Sequence, residues 1–181
     1  MDAAHYPAGI IERAARIRLL AFDVDGTLTD GGLSFDSDGR ESKRFHVQDG
    51  MGIVLLRHAG IEVALVSARP SDVTALRAKA LGIERVHVGE RSKLVCVQRM
   101  ASEIGITLAQ IAFMGDDLPD LAALRGVGLA LAPADAHPWA RQAAHWIAPR
   151  PAGYGAARDA CDLLLHAQGK LEAILERGEH P

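Results

Sequence analysis

Apolar residues in this chain fall into short runs separated by segments of helical period. The runs are LLAFDV (19–24), IEVALVS (61–67), RVHVG (85–89), IAFMG (111–115) and VGLALA (127–132), each with the length and composition of a buried strand. Between them, Val73, Leu76 and Ala80 follow a helical stripe, as do Leu94, Val97, Ala101 and Ile104. The segment DLPDLAALRG reads as a short helix stopped by Gly126. This β-α-β-α order predicts an α/β fold, a central parallel sheet with helices on both faces.

Two regions break the rhythm. In GGLSFDSDGRESKRFHV (31–47), the pair Asp38-Gly39 lies between runs that can pair as strands, so a β-hairpin is expected to project after the first strand. Asp30, Asp36 and Asp38 read there as turn residues. The Pro/Gly loop APRPAGYGAA (148–157) precedes one last helix and tail over about 156–181. No stretch is long enough for a separate cap domain, no internal repeat appears, and the expectation is one domain over 1–181.

Composition narrows the function classes. The net charge is −3, aromatics make up 4% of the 181 residues, and no basic block exists, which argues against nucleic-acid binding. Glu12, Arg13, Arg16 and Arg18 interrupt the N-terminal apolar runs, so neither a signal peptide nor a membrane span is expected there. Cys96 and Cys161 fall in separate helix-like segments and read as buried free thiols, the pattern of a cytoplasmic protein.

The chemistry lies at the strand ends, where open parallel sheets gather ligands. The first strand ends in Asp23 and Asp25, the second in Ser67 followed by Arg69, and the fourth in Gly115, Asp116 and Asp117, with Asp120 beyond. Lys93 opens the helix after the third strand. Clustered carboxylates repel one another unless a cation sits among them, and oxygen-only donors suit Mg²⁺. A hydroxyl and an ammonium opposite the metal would hold phosphate oxygens. One carboxylate is then placed to attack phosphorus and a second, two residues on, to handle the protons. The set describes metal-assisted phosphoryl transfer.

These residues resemble the haloacid dehalogenase superfamily of phosphatases. DVDGTLT matches its first motif, D-x-D-x-[TV], and Ser67, Lys93 and GDDLPD fit the second, third and fourth in order. FHVQDGMGI, APADAHP and CDLLLHAQGKL are similar to the capless branch, which includes the phosphatases of 3-deoxy-D-manno-octulosonate 8-phosphate in lipopolysaccharide sugar synthesis. The resemblance implies a Rossmann-like fold, with Asp23 as nucleophile and Asp25 as general acid and base. It implies a Mg²⁺ ion held by the Asp23 carboxylate, the Asp25 backbone carbonyl and Asp116, and a phosphoryl group held by Ser67 and Lys93. Asp117 or Asp120 would support the metal and Lys93 from behind. It also implies a cytoplasmic homotetramer in which neighbouring subunits cover each active site, with a small sugar phosphate as substrate. An ulosonic acid with a 9-phosphate is the alternative substrate.

Arg69 and Gln48 are candidates for the substrate rim, while Asp49 either faces substrate or caps a helix beginning near Gly50. Three positions depart from the pattern of the branch. Gln48 stands where arginine is common, Ala68 replaces a glycine, and Tyr154 occupies a position often held by lysine or arginine. Taken singly, Ser67 reads equally as a helix cap, Lys93 as a surface lysine and Asp120 as a first-turn residue; their joint placement carries the reading. A phospho-receiver domain would carry the same residue types, but its lysine would follow the hydroxyl near the chain's end, and it would lack Asp25. A non-catalytic regulator would have no need for both Asp23 and Asp25.

Overall fold

A computed structural model describes residues 6–178. The five apolar runs form strands β1 (Leu19–Phe22), β4 (Glu62–Ser67), β5 (Arg85–Val88), β6 (Ile111–Met114) and β7 (Leu129–Ala132). Their side chains alternate across the sheet, and both faces are covered. Leu20, Phe22, Val63, Leu65, Ala112 and Met114 pack on one side against α1 (Ala8–Ala15), α2 (Val47–His58) and α7 (Ala156–Ala167). Leu19, Ala21, Ala64, Val66, Ile111 and Phe113 pack on the other against α4 (Lys93–Ile104), α5 (Leu121–Gly126) and α6 (Pro138–Ala143). Burial on both faces is why the strands read as unbroken apolar runs rather than alternating ones.

The sheet is parallel throughout, in the order β5-β4-β1-β6-β7-β8. Its sixth strand, β8 (Trp146–Ile147), is two residues long, too short for any periodicity to announce it. β1 lies at the centre, paired with β4 on one side and β6 on the other. The chain reverses its winding direction there, so a crevice opens beyond the ends of those three strands.

The hairpin forms as expected: β2 (Ser34–Phe35) and β3 (Glu41–Ser42) pair antiparallel. Asp36 Oδ1 accepts from the backbone N–H of Asp38 and Arg40, and Gly39 takes a positive φ of 78°. Two expectations are corrected. The stripe Val73-Leu76-Ala80 is not the buried face of α3 (Asp72–Ala80). The residues that helix buries are Thr74 and Ala78, four apart, while Leu76 is 68% exposed, so its inward face is a narrow line of small side chains. The last helix is also two helices. The chain turns at Gly169, with φ of 64°, between α7 and α8 (Leu171–Arg177). Residues 179–181 of the expected tail lie outside the described residues.

Candidate active site

Register delivers the first carboxylate. Phe22 pairs with Leu65 and Met114, and the Asp23 N–H donates to the Met114 carbonyl at 2.9 Å, so the chain leaves the sheet with Asp23 beside the end of β6. The Val24 carbonyl then accepts from the N–H groups of Leu28 and Thr29, at 2.9 and 3.1 Å, closing a tight loop over that end. Gly26 is needed in this loop. Its φ is +86°, and a Cβ there would fall 2.3 Å from Asp116 Oδ2.

Four of the expected residues meet. Lys93, at the first position of α4, is buried and places Nζ 2.7 Å from Asp23 Oδ1 and 2.5 Å from Asp120 Oδ1. Asp120 Oδ2 accepts from the backbone N–H of Asp116 at 2.9 Å and of Asp117 at 3.2 Å. Carboxylate oxygens of Asp23, Asp116 and Asp120 lie within 4.8 Å of one another. Of Asp117 and Asp120, only Asp120 turns inward; Asp117 is exposed.

Three carboxylates face one ammonium here, and the imbalance is felt. Burial, then Asp120, push Asp23 up to about 6 against the pull of Lys93. Burial, then Asp23 and Asp120, push Asp116 up to about 8. Burial works against the Lys93 ammonium, but Asp23 and Asp120 outweigh it and hold the pKa above the ordinary lysine value. A divalent cation among these oxygens would remove the repulsion, so the donor set fits a metal. Asp120 already has both oxygens engaged, one by Lys93 and one by two backbone N–H groups. That leaves Asp23 and Asp116 with free lone pairs for an ion, with Asp120 bracing Lys93 and the Asp116 loop.

The remaining candidates make other contacts. Ser67, buried at the end of β4, turns its Oγ onto the backbone of Arg69, accepting from its N–H at 3.2 Å. Asp25 lies on the rim with Arg69 Nε 3.8 Å from its Oδ2. Gln48 Oε1 accepts from Arg150 Nη1 at 2.9 Å. Asp49 does not cap its own helix. Its helix starts at Val47, not near Gly50, and its buried carboxylate accepts from the N–H of Gly155 at 3.3 Å and of Arg158 at 2.8 Å. It therefore caps α7, a helix more than a hundred residues away.

Three participants escaped the sequence reading. Thr27 donates its hydroxyl to Asp116 Oδ1 at 3.1 Å; its position inside the first motif was the available signal. Lys43, just after β3, is buried to 1% with Nζ 2.5 Å from Asp25 Oδ1. Glu41 accepts from Ser71 Oγ at 2.7 Å and from Arg69 Nη2 at 3.0 Å. Lys43 and Glu41 lie in a polar stretch that reads as exposed, and only the folding back of the hairpin reveals them. Two of the departures also find partners. Arg44 stacks over the Tyr154 ring and donates to its hydroxyl, and Arg150 holds Gln48, so arginines stand beside both positions where positive charge was expected.

Known proteins resemble this chain closely. The sequence profile of haloacid dehalogenase-like hydrolases matches residues 86–158. The 3-deoxy-D-manno-octulosonate 8-phosphate phosphatase of Yersinia pestis is 42% identical, over 95% of this chain and 93% of that protein. A crystal structure of a hypothetical protein from Xanthomonas campestris superposes with a TM-score of 0.94 at 50% identity, covering 97% of this chain and 96% of that one. The phosphatase of the same octulosonate phosphate from Moraxella catarrhalis, crystallised with magnesium, phosphate and KDO, also superposes at 0.94, with 36% identity over 96% and 100% of the two chains. Among the described residues, no helix is long and apolar enough to cross a membrane. On this likeness over nearly its whole length, the chain belongs to the capless branch of the haloacid dehalogenase-like hydrolases, in the family of the octulosonate 8-phosphate phosphatases.

Proposed function

We propose that this enzyme hydrolyses 3-deoxy-D-manno-octulosonate 8-phosphate to KDO and phosphate, with Asp23 as nucleophile. The observation that carries the reading is the meeting of Asp23, Asp116 and Lys93 at one strand-end rim, in a chain whose relatives bear that activity in their names. Mg²⁺ is the ion we assign, held by the Asp23 and Asp116 carboxylates with the Asp25 backbone carbonyl. When bound, it supplies positive charge that offsets the carboxylates and the phosphoryl oxygens.

The protein groups divide the work. Lys93 and Ser67 bind the phosphoryl oxygens, and Asp120 keeps Lys93 in place through its 2.5 Å contact. A carboxylate oxygen of Asp23 attacks phosphorus while the bond from phosphorus to the sugar oxygen breaks, and that oxygen takes a proton from Asp25. Asp25, now a carboxylate, takes a proton from water. The water oxygen attacks the aspartyl-phosphate, and the bond between Asp23 and phosphorus breaks to release inorganic phosphate.

Arg69 and Gln48 remain the chain's candidates for the sugar rim, with Arg44 and Arg150 as neighbouring positive groups. The whole chain acts as one hydrolase domain in the cytoplasm, and a homotetramer closes each site. Leu33 and Phe35 of the hairpin, 51% and 58% exposed, support that assembly, since apolar side chains at a hairpin edge suit a protein interface. A screen of sugar phosphates with Mg²⁺, read as kcat/KM, tests the substrate. The octulosonate 8-phosphate should lead the series by at least about 10-fold, a difference of about 1.4 kcal/mol in transition-state binding. Leadership by a nine-carbon ulosonic acid 9-phosphate would move the assignment to that substrate, and uniform turnover would overturn it.

A further inference from the structure

We infer that Lys43 is a positioning residue that fixes one oxygen of the Asp25 carboxylate and leaves the other directed at the leaving group. The inference rests on the reading of Asp25 as the proton donor. Lys43 reaches the site from the hairpin, and its side chain is 1% exposed. Its Nζ lies 2.5 Å from Asp25 Oδ1, and its second carboxylate, Glu41 Oε2, is at 3.9 Å. Asp25 Oδ2 is buried and has no hydrogen-bond partner, Arg69 Nε being 3.8 Å away. One oxygen is thus held by a short ammonium contact, and its twin makes no hydrogen bond and only the longer ion pair with Arg69.

This asymmetry is what a proton donor on a loop needs. An aspartate side chain has several staggered rotamers, and proton transfer works only when donor and acceptor approach within about 2.6–3.2 Å. A buried lysine is a costly way to hold a hairpin down, since an apolar side chain of similar volume fills such a space without desolvating a charge. The hairpin base also has other fastenings, from Glu41 to Ser71 and Arg69. What only the ammonium does is select the Asp25 rotamer. The hairpin therefore belongs to the catalytic apparatus as well as to the surface of the molecule.

Lys43→Met and Lys43→Arg, assayed as Mg²⁺-loaded enzyme, test this against a series of phosphate monoesters whose leaving groups run from nitrophenol to alkyl alcohols. Poor leaving groups need the proton and good ones do not. Lys43→Met should lose about 30- to 100-fold in kcat/KM on alkyl phosphates, and about 5-fold or less on nitrophenyl phosphate. Its loss on the sugar phosphate should lie in kcat with KM nearly unchanged, and Lys43→Arg should recover most of it. A loss equal across the series would overturn the inference. So would a rise in KM confined to acidic sugars, which would make Lys43 a ligand for the substrate carboxylate. Asp25→Asn separates the two readings. If it shows the steep dependence and Lys43→Met does not, only the Lys43 inference fails. If Asp25→Asn is itself flat, the proton-donor reading fails with it. Lys43→Gln gives the same readings should the methionine variant not fold.

Discussion

Two groups of buried aspartates sit on this fold, and they are balanced differently. Asp49 and Asp162 lie between α2 and α7, where burial raises both carboxyls above their ordinary range. Each has its partners inside the chain: Asp49 accepts from two backbone N–H groups, and Asp162 accepts from Arg158 Nε at 2.7 Å. At the strand ends, Asp23 and Asp120 share Lys93, while Asp116 beside them has no cation among the described residues and is driven up to about 8. Burial alone does not mark a site, since Asp49 and Asp162 are as buried as Asp23 and Asp120. The uncompensated charge does, because a fold keeps such repulsion only where something outside the chain relieves it.

The largest expected effect separates the groups by chemistry. Asp23→Asn should lose at least about 10⁴-fold in kcat on any phosphate monoester, since the attacking oxygen is gone, with little change in fold. Circular dichroism and steady-state assays check both halves. Activity at the wild-type level would return Asp23 to a structural role.

A second contrast is in pH. Asp23 and Asp116 have pKa values of about 6 and about 8 in the folded chain without metal, against 3.8 ordinarily. Because both are raised, their contribution to stability is complete below about pH 4 and is lost as pH rises through 6 to 8. The metal-free melting temperature should therefore fall by several degrees across that window. Mg²⁺ should restore it at pH 8 and do little at pH 5, where protons hold the carboxylates. Thermal melts with and without the ion read this directly. The smallest effect falls on the other group. Asp49→Ala should lower stability by about 1–2 kcal/mol through loss of the α7 cap and change kcat less than about 3-fold.

The two groups also differ in how far the sequence disclosed them. Asp23, Asp116 and Lys93 follow apolar runs or open helices, so local pattern alone sends them to one edge of a parallel sheet. The roles of Asp120 and Asp49 are set by partners 27 and 106 positions away, which no local pattern carries. Asp49 looks like a cap for its own helix and serves another. Lys43 and Glu41 sit in a polar hairpin whose composition says exposed, and burial comes only from its docking over the rim. The sequence of α7 and α8 reads as one helix because Gly169 is a single weak break in a long apolar pattern.

The shared claim beneath these expectations is that Asp23 and Asp116 are held together for a divalent ion. Calorimetric titration of Mg²⁺ into the wild-type chain and into Asp116→Asn tests it most directly. The wild type should bind one ion per chain, and the variant should bind at least about 10-fold more weakly. Equal affinity in the two proteins would contradict an ion held between these carboxylates.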